Sequence, residues 1–148
     1  MPKTLYTAEA TVNGGRDEGH GVTSDGTLDV DIRVPADLGG PSGDDAGTNP
    51  EQLFAVGYAA CFGSALKLVA RRQKLDAGDH TIVSKVHMHP SEDRGFKLSV
   101  EMDVSLPGVD DAEVAAGLVE TTHKVCPYSN AVRGNVDVAF TVNGQPLG

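Results

Sequence analysis

At 148 residues, the chain can bury a core of its own as one domain spanning 1–148, and its two cysteines are not needed as staples. With 21 acidic against 12 basic residues, the formal charge is −9, which repels phosphate backbones and anionic lipid and argues against nucleic acid as a partner. The opening MPKTLYTAEATVNGG lacks an apolar core of signal-peptide length, and the longest uncharged helical run, Leu53 to Leu66, is short for a bilayer. These features predict a soluble, cytoplasmic protein with no membrane segment.

The elements follow in chain order. TLYTAEATV (4–12) is a weak strand candidate, followed by the glycine-flanked loop NGGRDEG that carries Arg16. TLDVDIRV alternates Leu28, Val30, Ile32 and Val34 and predicts a strand with one buried face. VPADLGGPSGDDAG is a loop, dense in glycine, proline and aspartate. Then TNPEQLF punctuates a helix start, with Asn49 as N-cap, Pro50 at the first position and Glu51 at the positive end of the dipole. TIVSKVHMH is a second weak strand, joined through the hairpin signal PSEDRG to FKLSVEMDVSL, which alternates Phe96, Leu98, Val100, Met102 and Val104. In DDAEVAAGLVETTHKV, Asp110 and Glu113 resemble a capping box, and Val114, Leu118, Thr121 or Thr122 and Val125 form the apolar stripe. Pro127 stops this helix after Cys126, PYSN reads as a turn, and NVDVAFTV supplies a last strand. The expected fold is α+β: five or six antiparallel strands in sheets packed around a central buried helix.

That first helix, LFAVGYAACFGSAL, carries no charge on any face before Lys67. A helix apolar all round needs cover all round, and its small residues would admit another helix closely. A second copy of the chain is the expected cover, giving a homodimer; a monomer with a well-covered helix is the alternative.

Cys61 lies on the row Phe54, Tyr58, Cys61, Ala65, Leu68, where a lone cysteine would be core packing. Cys126, at a helix end, changes that reading, because packing of the two helices could bring the sulfurs within bridging range as a reactive and a resolving thiol. Apolar burial raises a thiol pKa, so a cation must counter it. Cys61 is too far into its helix for the dipole to do so, leaving Arg16, Arg133 and the five histidines as candidates. For Arg16, an ordinary solvated arginine is the alternative. A metal-binding module is a rival reading: His87 and His89 share a strand face, and HKVC sets His123 beside Cys126, although no CxxC pair is present. A non-catalytic redox sensor is another.

GTNPEQLFAVGYAACF followed by VCPYSNAVRGNVDV resembles the organic hydroperoxide resistance proteins, the Ohr branch of the Ohr/OsmC family, and the resemblance runs from about Tyr6 to Val142 with GGR and SDGTLDV included. It implies an intertwined homodimer and a thiol peroxidase that reduces alkyl and fatty-acid hydroperoxides, is recycled by a lipoylated protein or another external dithiol, and binds no metal or other cofactor. By the same resemblance, Cys61 is the peroxidatic cysteine, Cys126 the resolving one, and Arg16 and Glu51 the polar partners that activate the first thiol. On a continuous helix, Glu51 and Cys61 are about 15 Å apart along the axis and roughly 80° out of phase. Glu51 must therefore act by fixing the arginine or from a partner subunit, unless it merely caps the helix. Phe54, Tyr58 and Phe62 are the candidate lining for an alkyl tail.

Overall fold

The computed structural model describes residues 2–148 and contains seven strands and three α-helices. The chain forms two compact units, Met1–Leu53 and Phe54–Gly148.

The first unit holds an antiparallel sheet in the order β1 (Ala10–Asn13), β2 (Gly19–Thr23), β3 (Asp29–Ile32). Strand β2, GHGVT, has too little apolar alternation to be read from sequence and is set by pairing on both sides. Between β1 and β2, Gly14 and Gly15 take positive φ (89° and 68°), and a Cβ on Gly14 would lie 2.3 Å from the Glu18 carbonyl oxygen. The turn is therefore reserved for glycine, and it carries Arg16 at its tip. The long loop after β3 contains two single-turn 3₁₀ segments, Ala36–Leu38 and Gly43–Asp45.

Helix α1 (Pro50–Arg72) starts as its punctuation predicts: Asn49 Oδ1 accepts the Gln52 N–H at 2.9 Å, and Pro50 occupies the first position. It is longer than the uncharged run suggested. Lys67 is the sole charge between Leu53 and Ala70, so by length and composition α1 reaches the dimensions of a membrane span. Its apolar side chains have another use, since Tyr58, Phe62, Leu66 and Val69 are buried in the core of the second unit with Val100, Met102, Val104 and Phe140 of the sheet.

That sheet has the order β4 (Thr81–Pro90), β5 (Phe96–Ser105), β6 (Asp137–Val142), β7 (Gln145–Pro146). The β4–β5 hairpin closes as expected, with the Ser91 N–H donating to the Gly95 carbonyl at 2.9 Å. One pairing departs from expectation: β5 and β6 run parallel. Helices α2 (Ala112–Val125) and α3 (Pro127–Val132) carry the chain back before β6 begins, and alternation along a strand does not report its direction. Strand β7 follows an Asn143–Gly144 turn with both φ positive (49° and 82°), the geometry of a tight hairpin.

The second helix corrects two details. Its N-cap is Asp111, not Asp110, because Asp111 Oδ1 accepts from the Glu113 and Val114 N–H groups at 2.9 and 3.1 Å, leaving Glu113 outside any capping box. The buried stripe is Ala115, Leu118, Val119 and Thr122, with Val114 39% exposed. PYSN is helical rather than a simple turn: Pro127 sits at the first position of α3 and Cys126 is at once C-cap of α2 and N-cap of α3.

Candidate active site

The two cysteines, 65 residues apart in sequence, meet in the second unit with their sulfurs 3.7 Å apart. Both are free thiols, Cys61 partly buried on α1 and Cys126 fully buried. A disulfide needs about 2.05 Å, so this is van der Waals contact between reduced sulfurs from which a bond forms by a small approach. Cys126 does not sit on a loose loop. Its N–H donates to the Thr122 carbonyl and its carbonyl accepts the Asn130 N–H, each at 2.9 Å, and the proline after it favours the extended conformation it adopts (φ −60°, ψ 124°).

Electrostatics within this unit do not activate Cys61. Burial pushes its thiol above the ordinary value, a hydrogen bond from the Tyr128 backbone N–H pulls it down, and the neighbouring Cys126 pushes it up again. A thiolate at Cys61 would need a cation to offset that rise. Arg133 is engaged elsewhere, donating to the His123 carbonyl at the end of α2 and to Asn130 Oδ1 at 2.6 Å. Burial, followed by the charge of Arg133, lowers the pKa of His123 and favours its neutral form.

Arg16 is no isolated surface arginine. Within the first unit it makes a two-pronged pair with Glu51, Nη1 to Oε2 and Nη2 to Oε1, both 2.8 Å, with the carboxylate 16% and the guanidinium 54% exposed. The hydrogen bond to Arg16 holds the Glu51 carboxyl below its ordinary range, and the same bond raises Arg16 further. The pair thus fixes the plane of a permanently charged guanidinium.

The aromatic residues around Cys61 divide by exposure. Tyr58 and Phe62 have no exposed surface, and Phe62 packs against Phe140 with ring centroids 5.2 Å apart. Phe54 is half-buried, and Tyr128, unsuspected from sequence, is 40% exposed and 6.1 Å from it. Gly57, one turn before Cys61, makes room for this ring, since a Cβ there would lie 3.0 Å from the Tyr128 hydroxyl. Phe54 and Tyr128 are thus the partly exposed rings of this aromatic group, while Tyr58 and Phe62 are closed into the core.

The histidines considered as metal ligands are dispersed among other partners. His87 Nε2 contacts Glu101 at 2.6 Å, His89 Nε2 contacts Ser99 at 2.7 Å, and His123 Nδ1 contacts Ser129 Oγ at 2.8 Å. Among the described residues, no three His, Cys, Asp or Glu side chains gather as a metal site. The last contact belongs to a buried chain that was not legible in the sequence: Ser129 Oγ also meets the Tyr58 hydroxyl at 2.7 Å, and both residues are fully buried.

Comparison with known proteins points to one group. The family profile described as OsmC-like protein matches residues 43–141. The organic hydroperoxide resistance protein of Xanthomonas axonopodis pv. citri (strain 306) is 52% identical over 141 residues, covering 95% of this chain and 96% of that protein. Among solved structures, the organic hydroperoxide resistance protein of Elizabethkingia anophelis superposes with a TM-score of 0.87 at 48% identity, covering 97% of this chain and 100% of that one. OhrB of Bacillus subtilis gives a TM-score of 0.82 at 46% identity, covering 94% and 99%. With its architecture, its paired thiols and these relatives in agreement, the chain belongs to the OsmC-like family, within the branch of the organic hydroperoxide resistance proteins.

Proposed function

We propose that this protein is a thiol-dependent peroxidase that reduces organic hydroperoxides, alkyl and fatty-acid, to alcohols. The observation that carries the reading is the contact of its only two cysteines at 3.7 Å in the reduced state. The names of its relatives support the substrate class.

In the proposed mechanism, the Cys61 thiolate attacks one oxygen of the peroxide, the O–O bond breaks, and the alkoxide leaves as the alcohol once protonated. Cys61 is left as a sulfenic acid. The Cys126 thiolate then attacks that sulfur and hydroxide leaves as water, forming the Cys61–Cys126 disulfide. An external dithiol, a dihydrolipoyl protein in this reading, reopens it by exchange, so the cycle uses no bound metal or other cofactor.

Arg16 is assigned to thiolate activation and to the charge developing on the leaving oxygen, which suits a group charged at every working pH. Glu51 orients it through the two-pronged pair, which supports this role over simple helix capping. Phe54 and Tyr128 are the proposed contacts for an alkyl chain, whose burial yields about 0.8 kcal/mol per CH₂, a gain hydrogen peroxide cannot collect.

The protein is further proposed to act in the cytoplasm as a homodimer. On α1, Val56 (70% exposed), Ala60, Ser64 and Leu68 (36% exposed) form an open stripe on a helix whose Tyr58, Phe62, Leu66 and Val69 are buried, and a second copy is the proposed cover. Sedimentation as a monomer at micromolar concentration would contradict this.

Steady-state turnover with dihydrolipoamide tests the activity itself. Repeated cycles with cumene hydroperoxide, and an efficiency well above that with hydrogen peroxide, are expected. Equal efficiency would contradict the proposed selectivity, and a single oxidation without turnover would favour a redox switch over an enzyme.

A further inference from the structure

The buried chain His123 Nδ1···Ser129 Oγ···Tyr58 OH has a placement that follows the thiols. Tyr58 is three residues before Cys61 on α1, His123 three before Cys126 on α2, and Ser129 three after Cys126 on α3. The three side chains thus tie together the helices that carry the two sulfurs, about one turn from each. Tyr58 and Ser129 have no exposed surface, so their 2.7 Å contact is closed to water, and the 2.8 Å contact of Ser129 with His123 is partly buried.

The chain has a direction. Each hydroxyl has one hydrogen to give, and His123 offers an acceptor at Nδ1 only when that nitrogen is unprotonated. Tyr58 donating to Ser129, and Ser129 donating to His123, uses both hydrogens. The reverse order leaves the phenolic hydrogen of a fully buried tyrosine without a partner. A packing role alone needs no such arrangement, since phenylalanine and alanine would fill similar space without buried polar atoms.

We propose that Ser129 is a positioning residue for disulfide closure: held between Tyr58 and His123, it keeps α3 and the Cys126 thiol in register with α1, so that Cys126 reaches the Cys61 sulfenic acid before a second peroxide does. The inference rests on the peroxidase reading above. Ser129 donates to or accepts from Tyr58 and His123 rather than either sulfur, so it assists the step in which two protein groups must meet and not the attack on peroxide. In that step the Cys126 sulfur bonds to the sulfenic sulfur, the S–O bond breaks, and hydroxide leaves as water with the thiol proton. A misplacement on the order of 1 Å is enough to slow such a step by tenfold or more.

The test is a single-turnover reaction of the reduced protein with one equivalent of cumene hydroperoxide, run on the unsubstituted protein, Ser129→Ala and Tyr58→Phe. Peroxide loss and disulfide formation are followed separately, with dimedone to trap sulfenic acid. The expected result is peroxide consumption within about twofold of the unsubstituted protein and disulfide closure slower by about tenfold or more. Dimedone adduct then accumulates at Cys61. Tyr58→Phe keeps the ring, removes only the oxygen and shifts the balance the same way, which guards against a Ser129→Ala chain that fails to fold. Parallel loss of both steps, or no change in closure in either variant, would overturn the inference. Failure of the unsubstituted protein to oxidise Cys61 at all would overturn the peroxidase reading and this inference with it, a result visible before any variant is compared.

Discussion

Cys61 is a thiol that its own surroundings hold protonated: burial raises it, and the one backbone donor, Tyr128 N–H, opposes that only in part. Arg16 is the charge proposed to complete the balance. In Arg16→Met, the pH midpoint for alkylation of Cys61 by iodoacetamide should rise by about one unit or more, the usual size of an opposite-charge effect. An unchanged midpoint would remove Arg16 from the activation step. The Arg16–Glu51 pair also has a pH signature. Because the Glu51 pKa is depressed in the folded chain, the contribution of the pair is present above the unfolded carboxylate value and is lost as pH falls through the folded one. Acid, not alkali, should therefore loosen the guanidinium, and Arg16→Lys, which keeps the charge but not the fork, should lose activity at all pH values.

At the level of elements, the punctuation read best. Asn49 and Pro50 mark the start of α1 because a cap is a local device, made by a side chain and the backbone a few residues on. The same locality misled by one residue at α2, where two adjacent aspartates compete and the hydrogen bonds select Asp111. Asp111→Ala should lower stability by about 1 kcal/mol, seen as a reduced Tm, with peroxide consumption intact. A variant as stable as the parent would show that the cap is not engaged in solution. Strand β2 and the parallel β5–β6 pairing escaped notice for a different reason: both are decided by neighbours far away in sequence. Strand β7 did carry a signal, the Asn143–Gly144 dipeptide, which goes with a tight hairpin.

Over the whole molecule, two cysteines that sequence could only suggest as partners are brought into contact by a core that α1, α2 and the second sheet share. Their identity as a pair was legible through the flanking motifs AACF and VCPYSN. The supporting groups were less so. Phe62 looked like a pocket residue because an aromatic one position after Cys61 faces either way on a helix until packing decides, and here it turns inward to Phe140. Tyr128 and Ser129 lay in plain view in VCPYSN, yet their contacts are made with Gly57, Tyr58 and His123, which only the folded chain sets beside them.

The most direct measurement of the central claim is the intact mass of the reduced protein before and after one equivalent of cumene hydroperoxide, with free-thiol titration and mapping of linked peptides. A Cys61–Cys126 peroxidase should lose about two mass units, with both thiols consumed and one linkage, between Cys61 and Cys126. An unchanged mass, with both thiols still titratable after denaturation, would contradict it and leave Cys61 as a side chain that fills space.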